Sequence, residues 1–144
     1  MESGMPLYSD APSYYRVMMP DVDDLPRAGK SARMLGIRVP EDIGLDENGF
    51  VRPGTGGMSV APDSSLNVPT HRRPRGMRMG STRKSNDRMY ALADTAIPAD
   101  KLDVRPDPLQ PCMHAFVEPA VTVELTRYES DLAGTRNDWR QVWP

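Results

Sequence analysis

"FVRPGTGGMSVAPD", residues 50–63, shows the scale on which this chain is built. Glycine turns at Gly54 and at Gly56-Gly57 lead into the short apolar segment Met58-Ser59-Val60, and Pro62-Asp63 ends it. Glycine permits close approaches and backbone angles that other residues resist, and a Pro-Asp pair favours a turn. The stretch therefore reads as a short strand entered and left by tight turns. Two purposes fit: a plain hairpin corner, or a loop that lets a phosphate- or ribose-bearing ligand come close to the backbone. Taken alone, the glycine pair is better read as a turn. No Gly-Lys-Ser/Thr follows it, as a phosphate-binding P-loop requires, and no G-x-G-x-x-G opens a helix.

Composition agrees with short strands and ordered loops. The chain has 144 residues, enough for one domain. Hydrophobic residues make up 38% and mean hydropathy is −0.57, so a single modest core is expected. The 15 prolines and 11 glycines exceed the usual share of about 12% and discourage long helices. A net charge of −2 excludes wholesale electrostatic binding to nucleic acid. Cys112 is the one cysteine, so no intrachain disulfide forms. No apolar run reaches the roughly 20 residues of a membrane span. The first residues lack the basic and apolar regions of a secretory signal. The expectation is a protein working in a cytoplasm, reached by a route that leaves no signal peptide.

Along the chain, residues 1–12 read as a loose N-terminus and 13–144 as the domain. "SYYRVMM" (13–19) alternates as a strand, with Tyr14, Arg16 and Met18 on one face and Tyr15, Val17 and Met19 on the other. Residues 21–49 form a long structured loop, with one helical turn expected around Ser31–Leu35. Residues 64–88 form a second long loop, rich in arginine from Arg72 to Arg88. Loops of this length in a compact domain are more often functional than idle, and both are expected to face a common side. Further strands are read at 89–97, 101–107 and 112–119. In 122–143, Leu125, Tyr128, Leu132, Thr135, Trp139 and Val142 recur at helical spacing. This predicts one long C-terminal helix, weakened by about 1 kcal/mol at Gly134. The fold class is α+β, a mostly antiparallel sheet with a C-terminal helix.

Several residues carry candidate chemistry. Arg16 sits mid-strand, where a charge either reaches a rim or grips an anion by its fork. Thr55, Gly57 and Ser59 could meet a ribose or an amide. Cys112 and His114 lie two apart, but two ligands do not make a zinc site; a buried, inert Cys112 is the expectation, and no metal is implied. His71 opens the basic run. Glu118 ends an apolar strand, where a carboxylate can stabilise a developing cation. The run 71–88 could contact phosphates, yet it has no interleaved aromatics for stacking.

In order, "YYRVM", "VRPGTGGMSVAPD", "HRRP", "IPADKLDVRPD" and "HAFVEPA" before a terminal helix resemble the small bacterial NAD-dependent cytotoxins of the type VI secretion effector class, with an ADP-ribosyltransferase-like fold. The likeness runs from about Ser13 to Trp143. It implies a split, curved β-core holding NAD, the substrate, in a cleft between its halves. By this resemblance Arg16 would hold the NAD phosphates, and Thr55, Gly57, Ser59 and His71 would line the dinucleotide site. Ser59 and Glu118 would act at the nicotinamide ribose. The family pattern has paired late-strand acids, whereas here Ala-Phe-Val precedes a lone Glu118. The implied activity is ADP-ribosyl transfer to an intracellular macromolecule, with a cognate immunity or antitoxin protein as partner. The alternatives are a non-catalytic module that uses loop 64–88, through Arg72, Arg73 and Arg75, to hold RNA or an acidic protein, and a relative that has kept the fold and lost the acid.

Overall fold

The computed structural model describes residues 12–74, 77 and 86–143. Eight strands are present: β1 (Ser13–Met18), β2 (Phe50–Val51), β3 (Met58–Pro62), β4 (Arg88–Ala93), β5 (Leu102–Pro106), β6 (Ala115–Pro119), β7 (Val123–Glu124) and β8 (Arg140–Trp143), with one helix, α1 (Leu125–Ala133). Six strands make a sheet in the order β5-β6-β3-β1-β4-β8, and β2 pairs with β7 in a small second sheet. Every registered pair of strands is antiparallel. This is a single α+β domain. Of the expected loose N-terminus, all but Pro12 lies outside the described residues; the Pro12 carbonyl accepts from the Asp94 amide at 2.8 Å.

The large sheet is two unequal halves meeting at a seam. β1 runs against β4 in continuous register from Ser13↔Ala93 to Met18↔Arg88. Against β3 it registers only at Tyr14↔Pro62 and Tyr15↔Ala61. Arg16 is the first residue past the end of that short ladder.

Alternation along the strands assigns the two faces. Tyr14 and Met18, Met58 and Val60, Tyr90 and Leu92, and Ala115 and Val117 belong to the main core, with Tyr128 and Leu132 of α1 and Trp139. Leu35, Ile37 and Ile43 join them, so the 21–49 loop covers this face. The other face carries a smaller cluster of Val17, Ala61 and Met89 with Val68 and Met77, supplied by the second loop. The two long loops therefore cover opposite faces, not a common one. They meet where Arg72 Nη1 donates to the Ala32 carbonyl at 3.1 Å. The expected helical turn at Ser31–Leu35 is a single hydrogen-bonded turn, closed by Met34 N to Ser31 O at 3.1 Å.

The C-terminal helix is present but short. Its Tyr128 and Leu132, one turn apart, are buried. Gly134 caps it, a short 3-10 turn follows at Arg136–Asp138, and Arg140–Trp143 pairs with β4 as an edge strand. The expected apolar stripe survives the change: Thr135 donates to the Leu132 carbonyl at 2.7 Å and accepts from Trp139 Nε1 at 2.9 Å. That relay turns the chain while keeping Trp139 in the core. Val142, expected on the same stripe, is exposed on the edge strand. Among the described residues no helix is long and apolar enough to cross a membrane.

Candidate functional site

Gly56-Gly57 serves packing against protein backbone. A Cβ at Gly56 would lie 2.2 Å from the Asp42 carbonyl oxygen, and one at Gly57 would lie 2.6 Å from that of Val117. The Gly57 amide donates to Asp42 O at 2.9 Å. The double-glycine bend is thus clamped between the first long loop and β6, and β3 leaves it beside the seam.

Arg16 fills that seam. Nη1 donates to the Ser59 carbonyl at 2.7 Å, and Nε and Nη2 donate to the Met34 carbonyl at 3.2 and 2.9 Å. Nη2 also reaches Gly36 O at 3.4 Å. The side chain therefore ties β1 to β3 and to the first loop across the gap where the ladder stops. It is buried, with 7% of its surface exposed. Among the described residues no carboxylate contacts it, and of the five N–H groups of a guanidinium one on Nη1 has no partner. Burial first, and then the neighbouring Arg72, hold the Arg16 guanidinium down to about 10. Asp42, itself paired with Arg38, acts on this guanidinium only at a distance; a buried cation without a directly contacting counter-charge is costly and favours any anion that can reach it.

A cleft of about 570 Å³ opens beside it. Its lining includes Arg16, Arg72, Arg73, His71 and His114, and among the described lining residues there is no Asp or Glu. Ser59, Asn67, Thr70 and Gln110 add neutral polar groups. In a chain of net charge −2, such a lining is a local reversal of sign. Arg73 is itself buried and bonds the Val68 and Leu66 carbonyls at 3.0 and 2.9 Å, so it shapes the wall as well as charging it. Of the three arginines on which the RNA or acidic-partner alternative rests, Arg73 is thereby committed inside the fold, Arg72 bonds Ala32 O, and Arg75 lies outside the described residues.

The candidate residues divide between this cleft and its surroundings. Arg16, Ser59 and His71 line it together. Thr55 does not: it is exposed and donates to Arg52 O at 2.8 Å. Gly57 lies behind β3, against β6. Glu118 is buried on β6 and accepts from Arg105 Nε at 2.9 Å and from the Gly54 amide at 2.8 Å. Ser59 stands opposite Phe116, and Glu118 follows Phe116 on the same face, about 7 Å further along the strand.

Two expectations for the neighbouring turn change. Cys112 is exposed, not buried, because β6 begins only at Ala115 and residue 112 belongs to the preceding turn. For the same reason Cys112 and His114 do not share a strand face. Among the described residues no group of three metal-ligating side chains converges. His114 instead pairs with Asp107, Nδ1 to Oδ2 at 2.8 Å, a contact the Cys-His spacing concealed. The signal was there in "DPLQPCMH" (107–114), where Asp and His flank a proline-bearing turn between two strands.

No family model matches the chain, and no curated protein matches it.

Proposed function

We propose that this chain uses NAD as a substrate and is an ADP-ribosyltransferase-like toxin acting on an intracellular macromolecule. The observation that carries the reading is the buried Arg16, without a carboxylate partner among the described residues, at the wall of a cleft lined by arginine and histidine. A diphosphate supplies the directly contacting negative charge that the carbonyl partners of Arg16 do not. The cavity volume falls within the 300–1,000 Å³ usual for small-molecule sites. Apolar lining from Val60, Val68 and Met113 suits the faces of the bases. Ser59 stands beside the seam with its carbonyl already engaged by Arg16, which leaves its hydroxyl to meet a ribose.

Breaking the nicotinamide–ribose bond builds positive charge at the sugar, so a nearby carboxylate lowers the barrier. Glu118 is the buried acid nearest Ser59 in the strand register. It is neutralised by Arg105, so it serves the ribose only by loosening that ion pair. This is where a weak catalyst would differ from a strong one. The sheet seam is in keeping with the split core of the ADP-ribosyltransferase-like type.

The test is incubation of the purified protein with NAD, with nicotinamide release followed by chromatography and cell extract searched by mass spectrometry for added ADP-ribose. The reading expects release above the buffer rate and at least one labelled macromolecule. Absence of both removes it.

A further inference from the structure

The turn between β5 and β6 presents a second piece of chemistry to the cleft. Its backbone is closed at both ends: Asp107 N donates to His114 O at 2.9 Å, and His114 N donates to Gln110 O at 2.9 Å. On this rigid frame Asp107 Oδ2 holds His114 Nδ1 at 2.8 Å. The imidazole packs edge-on to Phe116, with centroids 4.8 Å apart, and Arg105 covers the Phe116 ring at 5.0 Å. The ring is therefore fixed in place and tilt. Nε2 has no partner among the described residues, and His114 lines the cleft with Gln110 and Met113.

The His114 hydrogen bond, first among several influences, holds the Asp107 carboxyl below the ordinary carboxylate range. It is thus an acceptor, which asks for a proton on Nδ1; in the neutral imidazole the lone pair then lies on Nε2. A carboxylate-oriented imidazole of this kind is a general base.

Resting on the NAD reading above, we propose that His114, positioned by Asp107, accepts the proton of an attacking hydroxyl, so that the acceptor is a hydroxyl group or water. The balance is simple. The acceptor oxygen forms a bond to C1′ of the nicotinamide ribose, the C1′–nitrogen bond breaks, and its electron pair leaves with neutral nicotinamide. The hydroxyl proton passes to Nε2. A hydroxyl oxygen attacks with a lone pair it already has and sheds its proton as the bond forms. A carboxylate acceptor has no proton to lose, and a guanidinium has no free lone pair at ordinary pH. The dyad therefore gives a carboxylate no advantage, and a guanidinium, which must be deprotonated before it has a lone pair to attack with, matches it less well than a hydroxyl or water.

The experiment is NAD hydrolysis, read as nicotinamide release, by the wild-type chain and by His114→Ala, His114→Gln and Asp107→Asn. For both His114 variants kcat falls about 10²–10⁴-fold, KM changes little, and added imidazole restores turnover to His114→Ala. Asp107→Asn lowers kcat at least about tenfold by releasing the tautomer. His114→Gln can keep the bond to Asp107, so a folded but inactive His114→Gln separates proton transfer from support of the turn. An active wild type with either His114 variant within twofold of it overturns the inference alone. So does a loss that appears equally in KM and is not rescued by imidazole. A wild type that neither releases nicotinamide nor labels a macromolecule in extract instead overturns the NAD reading, and this inference falls with it; where labelling alone is seen, the same variants are compared by the rate of labelling.

Discussion

Replacing Arg16 by methionine tests the tie across the sheet seam, and its cost follows from the bonds it removes. The Met34 carbonyl loses two donors and the Ser59 carbonyl loses one at 2.7 Å; the 3.4 Å contact with Gly36 is too long to add much. Both acceptors are only part-buried, so the about 1–3 kcal/mol for a buried acceptor left without a partner gives an upper range of about 2–6 kcal/mol for the two. Against this, methionine removes a buried charge that no carboxylate in the described residues contacts and that Asp42 offsets only from a distance, and it fills most of the space. The net expectation is a loss of about 2–4 kcal/mol. For a chain of this length each kcal/mol moves Tm by about 3–5 °C, so Tm falls by about 6–20 °C. Urea unfolding followed by circular dichroism measures it, with an unchanged slope showing that the change lies in stability. A loss below about 0.5 kcal/mol, or a gain, would refute the view that this guanidinium joins the two halves. The same arithmetic makes Arg16→Ala a poor probe of ligand binding, because the fold and the site would fail together.

Three further outcomes follow from the packing. Gly57→Ala must push a Cβ against the Val117 carbonyl at 2.6 Å and costs about 1–3 kcal/mol, whereas Gly44→Ala meets nothing within 4 Å and leaves stability unchanged or slightly raised; paired melting curves check the contrast. Tyr128→Phe strips a buried hydroxyl that donates to Val117 O and accepts from the Met58 amide at 3.2 Å, and denaturant unfolding should read a loss of about 1–3 kcal/mol. The Asp46 carboxyl is held below its ordinary value of 3.8, first by the Phe50 amide, so its contribution to stability is present above that pH and lost as pH falls through the lowered value. Asp46→Asn should therefore flatten the acid side of the Tm–pH curve, and an unchanged curve contradicts the assignment.

Much of the fold was legible where apolar periodicity was long enough to read. Alternation in residues 13–19 placed Tyr14 and Met18 together, and both lie in the main core. The stripe through Tyr128, Leu132, Thr135 and Trp139 correctly named the buried residues, yet overran the helix. Spacing reports which side chains are buried and does not separate helix from 3-10 turn, and Gly134 with the β-prone "WRQVW" that follows decided the ending. The β2–β7 pair was invisible because two residues per strand carry no pattern. The first segment was read as a long structured loop, and its share of the core, Leu35, Ile37 and Ile43, was not named because their spacing matches neither template in an irregular segment.

The site was legible only in part, for a different reason. Arg16 stood out as a charge among apolar neighbours, but its partners are backbone carbonyls, which leave no mark in side-chain identity. Glu118 was visible as a strand-end acid, while Arg105, which holds it, pairs across a strand whose register was unknown. The glycine pair looked like an approach to a ligand and is an approach to Asp42 and Val117; a close contact reads the same in sequence whatever lies on the other side.

The most direct test of the cationic cleft as the NAD site is a titration of the isotope-labelled protein with NAD, followed by amide ¹H–¹⁵N shifts. Saturable shifts at Ser59, Asn67, Thr70, His71 and His114, weakened by added salt, are the predicted result. No shift at millimolar NAD, or shifts confined to residues outside the cleft such as Lys101, Ser130 and Asp138, which line a separate groove beside the end of α1, would contradict it.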